Sequence, residues 1–344
     1  MLLETTKYMR YKRLSLLLAL AGALLVAGGA AGLVAARSAA APLVLAKTPH
    51  PDRNAARAQL RSLSRPTRRR PLRATVSLYE HTVRRLTLRR QGCSAAKRGV
   101  GGIVILDFGQ PAYNGHTYGT YLFSGRFAGN KIITRAMFAY AYGYNRCVRR
   151  PSSLRIRLAR GTNNYHLHVP SAYRAGRKWA RETMALQHAL SVHGIEDRVT
   201  SAAADDVEPA WDRTFHHTRD FFRGFRDART GHTLFNFGSL DGGVGSVWNA
   251  RQFFFVTSGM RYAQAIPEIY NHAMAREWAE LAHIARHRYH RPLRFAGVMT
   301  THTSGNHGMK PRVAHKTLVR ALVARLGASA ASVPPTLTNI RAAD

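Results

Sequence analysis

Acidic residues are scarce in this chain. Its 344 residues include 18 Asp and Glu against 52 Lys and Arg, which gives a formal net charge of +34. A surface with this balance attracts polyanions such as nucleic acid, anionic lipid or acidic wall polymers, without selecting one of them. Zinc-finger spacing, basic heptads and an RNP-like aromatic strand are all missing, so we do not expect the chain to read nucleic acid. A solvated polybasic tail is the other interpretation of the excess charge.

Cofactor motifs are also lacking. The 17 histidines form short clusters, such as His283 and His287 one helical turn apart, but the HExxH arrangement of zinc enzymes is absent. Arginines are interleaved with that cluster, so we interpret it as a solvated basic face and expect no metal. No Gly-rich phosphate loop follows the first predicted strand, which argues against a nucleotide-binding, doubly wound sheet. We therefore predict no cofactor.

The N-terminus has the layout of an export signal. Four basic residues within the first 13 positions precede an uncharged apolar run over residues 14–36. At about 23 residues the run is long enough to span a bilayer. We predict a signal peptide or signal anchor over residues 1–36, and hence an exported protein that is either released or held at the outer face of the membrane. Cys93 and Cys147 are the only cysteines, and an even pair in an exported chain favours one disulfide over two buried thiols.

The rest of the chain divides into three parts by composition. Residues 37–98 are rich in Arg, Ala and Pro without a sustained apolar period, which predicts a basic linker that is largely disordered until about Tyr79. Over residues 99–327, short apolar runs alternate with helical stretches, which predicts an α/β fold with a mainly parallel sheet. Residues 328–344 are predicted to form a C-terminal loop.

An irregular (β/α)8-like TIM barrel fits this alternation best, and a doubly wound open sheet is the alternative. The predicted strands cover residues 103–108, 154–160, 199–204, 233–237, 252–257, 266–270 and 295–300. The predicted helices cover residues 131–144, 172–191, 214–228, 273–287 and 312–326.

The most informative segment covers residues 199–211, VTSAAADDVEPAW. An apolar run of this kind is typical of a buried parallel strand, and Pro209 ends it because proline cannot continue the ladder. Its carboxylates therefore fall at the C-terminal end of a strand, where (β/α) barrels place their chemistry. Because side chains alternate along a strand, Asp206 and Glu208 share one face and Asp205 takes the other.

Polar and aromatic residues follow the other predicted strands as well. Amide and carboxylate groups bind sugar hydroxyls, and flat aromatic rings cover the apolar side of a sugar. We predict that these groups line a carbohydrate pocket. The alternative is that such residues simply favour turns. The predicted substrate-binding residues are Gln110, Asn163, Asn164, Tyr165, Trp211, Asn236, Asp241, Glu268 and Tyr270.

Glycoside hydrolysis needs two carboxyl groups, one protonated and one ionised. Burial beside a second acid favours the protonated form of a strand-end glutamate. We predict Glu208 as the general acid and Asp206 as its partner, with Asp107 or Glu268 completing the site from across the barrel. A structural network of ion pairs with nearby arginines is the alternative for the acid pair.

Five short motifs carry a family resemblance. LDFGQP, GTNNY, ADDVEPAW, FNFGS with LDGG, and PEIYN occur in an order that resembles a group of exported bacterial proteins with a glycoside-hydrolase-like (β/α) barrel, over about residues 99–326. The spacing of Asp206 and Glu208 is also similar to the strand-end acids of barrel muramidases and chitinase-like hydrolases. The resemblance implies that Asp107, Asp206 and Glu208 line the pocket.

The function expected from these features is an exported barrel that acts on, or binds, glycan of the cell envelope. The alternative is a catalytically silent barrel that binds an anionic polysaccharide or another wall polymer. The polybasic segment would then add non-specific attraction to the polymer.

Overall fold

A curled, eight-stranded parallel sheet with helices on its outer side organises the protein. The computed structural model describes residues 72, 74–149, 152–165, 168–302 and 308–343, all within one compact unit. The predicted signal or anchor and most of the predicted linker lie outside these residues. Within the described part of the chain, no helix combines the length and apolar character needed to cross a bilayer.

The elements of the described residues alternate between strands and helices. The strands are β1 (Ala74–Tyr79), β2 (Gly102–Asp107), β3 (Gln110–Tyr113), β4 (Tyr118–Tyr121), β5 (Phe127–Gly129), β6 (Ile156–Asn163), β7 (Val199–Asp206), β8 (Leu234–Asn236), β9 (Ala263–Ala265), β10 (Val298–Thr300) and β11 (Leu337–Ala342). The α-helices are α1 (Arg85–Lys97), α2 (Asn130–Cys147), α3 (Ala172–Val192), α4 (His216–Asp227), α5 (Ala250–Phe254), α6 (His272–Arg288) and α7 (Pro311–Leu326).

The large sheet has the strand order β10-β11-β1-β2-β6-β7-β8-β9, and every pairing in it is parallel. Its two edges meet beyond β9, where Ile269 N donates to Met299 O at 2.9 Å and Met299 N donates to Pro267 O at 2.8 Å. Parallel strands that alternate with helices and curl in this way confirm the α/β class and are consistent with a TIM-barrel-like fold.

Apolar side chains on the concave side of the sheet form what we call the inner cluster. Its buried members are Ile103, Ile105, Ala159, Ala202, Ala204, Phe235, Phe237, Ile266, Ala296, Met299 and Ile340. Alternate residues of the same strands face the helices instead, as Ala203 and Leu234 do. The alternation decides which strand-end side chains reach the concave side.

Five of the seven α-helices in the described residues match sequence predictions to within a few residues, because each buries one face of apolar side chains. Helix α3 begins after Ser171, whose hydroxyl accepts a hydrogen bond from Arg174 N at 3.2 Å. Its buried face includes Trp179 and Leu186, which pack in the helix layers outside the sheet. Helices α2, α4, α6 and α7 follow the same pattern of one buried face.

Two predicted strands were placed wrongly. Residues 252–257 are helical, because α5 covers Ala250–Phe254 and a single π-helical turn continues over Phe255–Gly259. A capping box between Asn249 and Gln252 starts this helix, and a buried apolar helix cannot be told from a strand by hydropathy alone. The strand predicted over 266–270 ends earlier, since β9 covers Ala263–Ala265 and only single bridges follow it.

The predicted linker and tail both contribute strands. Strand β1 and helix α1 lie within the segment predicted as linker, and β11 lies within the predicted C-terminal loop. The hydrophobic signal was weak because β1 and β11 carry buried hydroxyls. Ser77 Oγ and Thr338 Oγ1 form a hydrogen bond of 2.7 Å between the strands, and Thr75 Oγ1 donates to Ile103 O at 2.9 Å. The folded unit therefore begins before residue 99 and ends after residue 327.

A disulfide joins Cys93 in α1 to Cys147 at the end of α2. The two helices approach closely, since a Cβ atom at Gly92 would lie 2.0 Å from Tyr140 O and one at Gly143 would lie 2.0 Å from Arg89 O. The bond therefore ties together two helices that are already in tight contact, over a sequence separation of 54 residues.

Removing this bond is expected to destabilise the protein. Closing a loop of this length lowers the entropy of the unfolded chain, which corresponds to about 4 kcal/mol of stability. We expect the double substitution Cys93→Ser and Cys147→Ser to lower the melting temperature by several degrees. In dithiothreitol the melting temperature of wild type should fall to that of the double variant. The melting temperature of the double variant should not change with the reductant. Equal melting temperatures for oxidised and reduced wild type would contradict the prediction.

Glu80 is a fully buried acid directly after β1. Its Oε2 accepts a hydrogen bond from Gln91 Nε2 at 3.4 Å, which fixes the carboxyl between β1 and α1. Burial raises the pKa of Glu80 to about 7, and the Gln91 hydrogen bond offsets only part of that rise. The folded state therefore holds a proton that the unfolded chain has already released.

The raised pKa of Glu80 predicts how stability changes with pH. Between about pH 4.5 and 7 the folded state binds more protons than the unfolded state, so stability falls as pH rises, by about 3 kcal/mol over the window. We expect Glu80→Gln to be more stable than wild type at pH 8 and to match it near pH 4. Urea denaturation at both pH values measures the difference. A constant gap between the two proteins would overturn this expectation.

Candidate functional site

Three carboxyl groups converge at the C-terminal end of the large sheet. Asp206 ends β7, Glu208 lies two residues beyond it, and Glu268 follows β9. One carboxylate oxygen from each of the three lies within 4.8 Å of the other two. Asp206 and Glu268 are each 1% exposed, whereas Glu208 is half-buried and open to solvent on one side. We refer to Asp206, Glu208 and Glu268 as the acid cluster.

Asp107 and Asp205 lie close to the acid cluster, but their side chains are on opposite sides of the large sheet. Asp107 ends β2 on the same side as Ile103 and Ile105 of the inner cluster, and its Oδ1 accepts a hydrogen bond from Gly109 N at 2.9 Å. Asp205 follows the outward alternation of Ala203, and it is fully buried. Burial, and then the charges of Asp206 and Asp107, raise the pKa of Asp205 well above its usual value. Burial therefore favours the protonated form of Asp205 beside the acid cluster.

Asn164 holds the backbone of Glu208 at both polar atoms. Its Oδ1 accepts a hydrogen bond from Glu208 N at 3.0 Å, and its Nδ2 donates to Glu208 O at 3.1 Å. The same Nδ2 donates to Thr218 Oγ1 at 3.0 Å, and that hydroxyl donates to Asp212 Oδ2 at 2.9 Å. Asn164 is fully buried and its amide makes these hydrogen bonds, so it positions Glu208, and its contact with substrate stays a prediction.

Ser239 links the side chains of Glu208 and Asp241. Its Oγ lies 3.0 Å from Glu208 Oε2 and 2.6 Å from Asp241 Oδ1. Asp241 Oδ2 accepts a hydrogen bond from Ala210 N at 2.8 Å, and Asp241 N donates to Ser239 Oγ at 3.2 Å. Asp241 thus belongs to the support of the Glu208 carboxyl, and its contact with substrate stays a prediction.

Tyr270 places a phenol beside the acid cluster. Its side chain is half-buried and its hydroxyl oxygen is shielded from solvent. Burial, and then the charge of Glu268, raise the pKa of Tyr270 well above its usual value, with smaller contributions from Tyr79 and Asp206. The phenol keeps its proton at every physiological pH, so it is available as a hydrogen-bond donor at the edge of the cluster.

The small sheet β3-β4-β5 carries an aromatic surface next to the end of β6. The sheet starts at Gln110, three residues after Asp107, and is joined to the chain after β6 because Tyr113 N donates to His168 O at 2.9 Å. The Tyr121 ring lies 5.9 Å from Phe127 and 5.3 Å from His168 between centroids, and Tyr165 lies 6.1 Å from His168. All four rings are at least partly exposed. We call Tyr121, Phe127, Tyr165 and His168 the aromatic wall.

The remaining predicted residues do not all face the concave side of the sheet. Asn163 alternates with Ala159 on the concave side, and its Oδ1 accepts a hydrogen bond from Tyr165 N at 3.2 Å. Trp211 is half-exposed in the 3-10 turn Pro209–Trp211, and Gln110 is half-buried at the start of β3. Asn236 alternates with Phe235 and so faces the helix layer, where its Oδ1 accepts a hydrogen bond from Gly238 N at 3.1 Å. The structure does not bring Asn236 to the pocket.

Thr218, Asp212 and Tyr79 are parts of the site that sequence reasoning missed. Thr218 and Asp212 lie behind Glu208, and no motif in the sequence marks them. Tyr79 packs against the inner cluster and stacks edge-on against Phe123 at 5.0 Å between ring centroids. Tyr79 is the last residue of β1, and this strand-end position marks it as a site residue, so it could have been found only if β1 had been predicted.

The acid cluster has the donor set of a hard divalent cation as well as that of a hydrolase. Three carboxylate oxygens within 4.8 Å of one another could each reach a Ca²⁺ or Mg²⁺ ion at about 2.0–2.6 Å. The acids also lie close enough to act together as a pair of reacting carboxyls, which glycoside hydrolysis requires. In glycoside hydrolysis the neighbouring carboxyls act directly on the substrate, and no metal ion is needed.

Comparison with known proteins adds no relative to these observations, since no family model, curated protein or solved structure matches the chain. The residues of the site and the resemblance of its motifs are therefore the basis for a functional hypothesis.

Proposed function

We propose that this protein is an exported, glycoside-hydrolase-like barrel that cleaves glycan of the cell envelope at the acid cluster. The observation that carries the proposal is the approach of Asp206, Glu208 and Glu268 to within 4.8 Å at the end of a parallel sheet. Inverting enzymes keep their carboxyls about 6.5–9.5 Å apart to admit a water molecule. The shorter distance favours a retaining reaction with a covalent intermediate.

The contacts of Ser239 support Glu208 as the general acid. A serine hydroxyl has one proton, so it can donate to Glu208 or to Asp241 but not to both at once. Asp241 Oδ1 lies closer to Ser239 Oγ, at 2.6 Å, than Glu208 Oε2 does, which favours Asp241 as the acceptor of the Ser239 proton. In the proposed acid role Glu208 carries a proton, which it would donate to Ser239 Oγ across the 3.0 Å between the two oxygens.

The proposed reaction has two steps. In the first, Glu208 gives its proton to the glycosidic oxygen as the bond to the anomeric carbon breaks, and the Asp206 carboxylate forms a new bond to that carbon. In the second, Glu208 takes a proton from water, whose oxygen displaces Asp206 and restores both carboxyls. Glu268 and Asp107 contribute negative charge that stabilises the positive charge at the anomeric carbon.

The aromatic wall supports a sugar polymer as the substrate. The partly exposed rings of Tyr121, Phe127 and Tyr165 offer apolar area to the flat side of a sugar ring, and Gln110 pairs with Tyr121 across β3 and β4. The N-terminal apolar run and the resemblance to exported bacterial proteins support an envelope glycan over an intracellular one. A membrane anchor would keep the enzyme beside that substrate.

Incubation of the full chain with purified bacterial envelope glycans tests the proposal. We expect new reducing ends to appear with wild type, and we expect the rate to be unchanged in EDTA. Glycan binding without release of reducing ends from any polymer in the panel would instead favour the silent binder. Activity that EDTA abolishes and Ca²⁺ or Mg²⁺ restores would assign the acid cluster to a cation and contradict the proposed mechanism.

A further inference from the structure

A cavity of about 680 Å³ lies on the outer surface between α5 and the end of α6. Its lining includes Arg251, Arg288, Arg291, Phe254 and Tyr289. Helix α6 starts four residues after Glu268 and has 17 residues, so its two ends are about 25 Å apart at 1.5 Å per residue. The cavity is therefore a separate site, at the far end of the helix from the acid cluster.

The cavity concentrates positive charge without internal neutralisation. None of the three guanidinium groups is ion-paired with a carboxylate of the described residues, and all three arginines are exposed. Arg294 adds a fourth cation nearby, since burial and then the charge of Arg291 lower the pKa of Arg294. Like charges that line one cavity repel one another, and an anion in the cavity would relieve that repulsion.

Helix dipoles explain only part of this arrangement. Arg288 lies in the last turn of α6, where a cation is favourable. Helix α5 has only five residues and Arg251 belongs to its last turn as well as its first, so the dipole of α5 gives no comparable reason for Arg251.

Aromatic rings preorganise the cavity. The Arg291 guanidinium stacks over the Phe254 ring at 5.5 Å, and the Phe254 and Tyr289 rings lie 5.1 Å apart between centroids. Phe254 is buried and fixes the cation, whereas the half-exposed Tyr289 leaves part of its ring available. The cavity thus offers planar, bidentate donors for carboxylates together with an apolar surface for a sugar ring.

We propose that this cavity binds a segment of an acidic polysaccharide, with its carboxylate groups on Arg251, Arg288 and Arg291. The identity of the ligand as a glycan rests on the proposed function, whereas the anion site rests on the geometry of the cavity. The bound segment tethers the polymer, which raises the local concentration of its other segments at the acid cluster.

Titration calorimetry of the full chain with hexagalacturonate tests this inference. We expect the triple variant Arg251→Gln, Arg288→Gln, Arg291→Gln to weaken binding at least tenfold at fixed ionic strength. The matched control changes three exposed arginines elsewhere, Arg135→Gln, Arg181→Gln and Arg320→Gln, and should weaken binding less than twofold. Neutral cellohexaose should not bind to the cavity. The single variant Arg288→Gln repeats the comparison in a protein with minimal change.

Three results would overturn the assignment. Equal weakening in both triple variants would mean that only net charge matters. Failure of wild type to bind hexagalacturonate would exclude an acidic-glycan site. Cavity-dependent binding to phosphatidylglycerol vesicles, without binding to hexagalacturonate, would assign the cavity to a lipid surface. Because binding at the cavity does not need Glu208, Glu208→Gln should bind hexagalacturonate as wild type does, which separates failure of this site from failure of the proposed reaction.

Discussion

Glu208→Gln is expected to lower turnover of the envelope glycan by about 10²–10⁴-fold while changing glycan affinity less than twofold. The amide has the shape of the acid and can keep a contact with Ser239 Oγ, 3.0 Å from the present Oε2. It cannot give a proton to the leaving oxygen, so only the chemical step suffers. Initial rates of reducing-end release, compared with calorimetric affinity, separate these two effects.

Leaving-group chemistry gives this prediction a sharper form. A substrate with an activated aryl leaving group needs little help from an acid, so Glu208→Gln should retain most of its activity on such a glycoside. Asp206→Asn should lose activity on both substrates, because it removes the nucleophile. Glu280→Gln is the matched control, since Glu280 pairs with Arg325 on the helix layer and should not affect turnover. Equal losses of Glu208→Gln on both substrates would remove Glu208 from the acid role.

Asn164→Ala is expected to lower kcat about 10- to 100-fold and to destabilise the protein by about 2–3 kcal/mol. The substitution removes three hydrogen bonds and leaves the buried N–H and C=O of Glu208 without this partner. The carboxyl then loses its fixed position, and misplacement by a fraction of an ångström is costly for proton transfer. Steady-state kinetics and urea denaturation measure the two effects.

A matched asparagine distinguishes positioning from stability. Asn236→Ala removes a similarly buried amide at the end of β8, whose Oδ1 accepts a hydrogen bond from Gly238 N and which faces the helices. It should cost stability without a specific loss of kcat. Asn164→Ala should also recover relative activity on an activated aryl glycoside, because the defect lies in acid catalysis. Equal kinetic losses in both variants would mean that Asn164 acts only through the fold.

The sequence predicted most of the layout because its strongest signals are periodic. Helices such as α3 have a full apolar stripe, and β7 is an unbroken run of small residues that ends at Asp206, so both were assigned close to their observed bounds. The position of Asp206 and Glu208 at a strand end followed directly. The approach of Glu268 to Asp206 and Glu208 could be predicted because parallel strands end at the same edge of a sheet.

The errors came from signals that are local and ambiguous. Buried hydroxyls in β1, such as Thr75 and Ser77, hid a strand that the sheet needs, and the aromatic run in QFFFVT fits a buried helix as well as a strand. Asn163 and Asn164 were both predicted to bind substrate, because β6 was predicted to end at residue 160. The strand continues to Asn163, so the alternation puts Asn163 inside and turns Asn164 towards Glu208.

The configuration of the first sugar released by wild type tests the central claim most directly. Proton NMR during the first minutes of hydrolysis reads the anomeric configuration before mutarotation obscures it. Because one carboxylate oxygen of Asp206 lies within 4.8 Å of one of Glu208, we predict that the released anomer has the same configuration as the bond that was cleaved. Release of the opposite anomer would require a water molecule between more distant carboxyls and would contradict the proposed roles of Asp206 and Glu208.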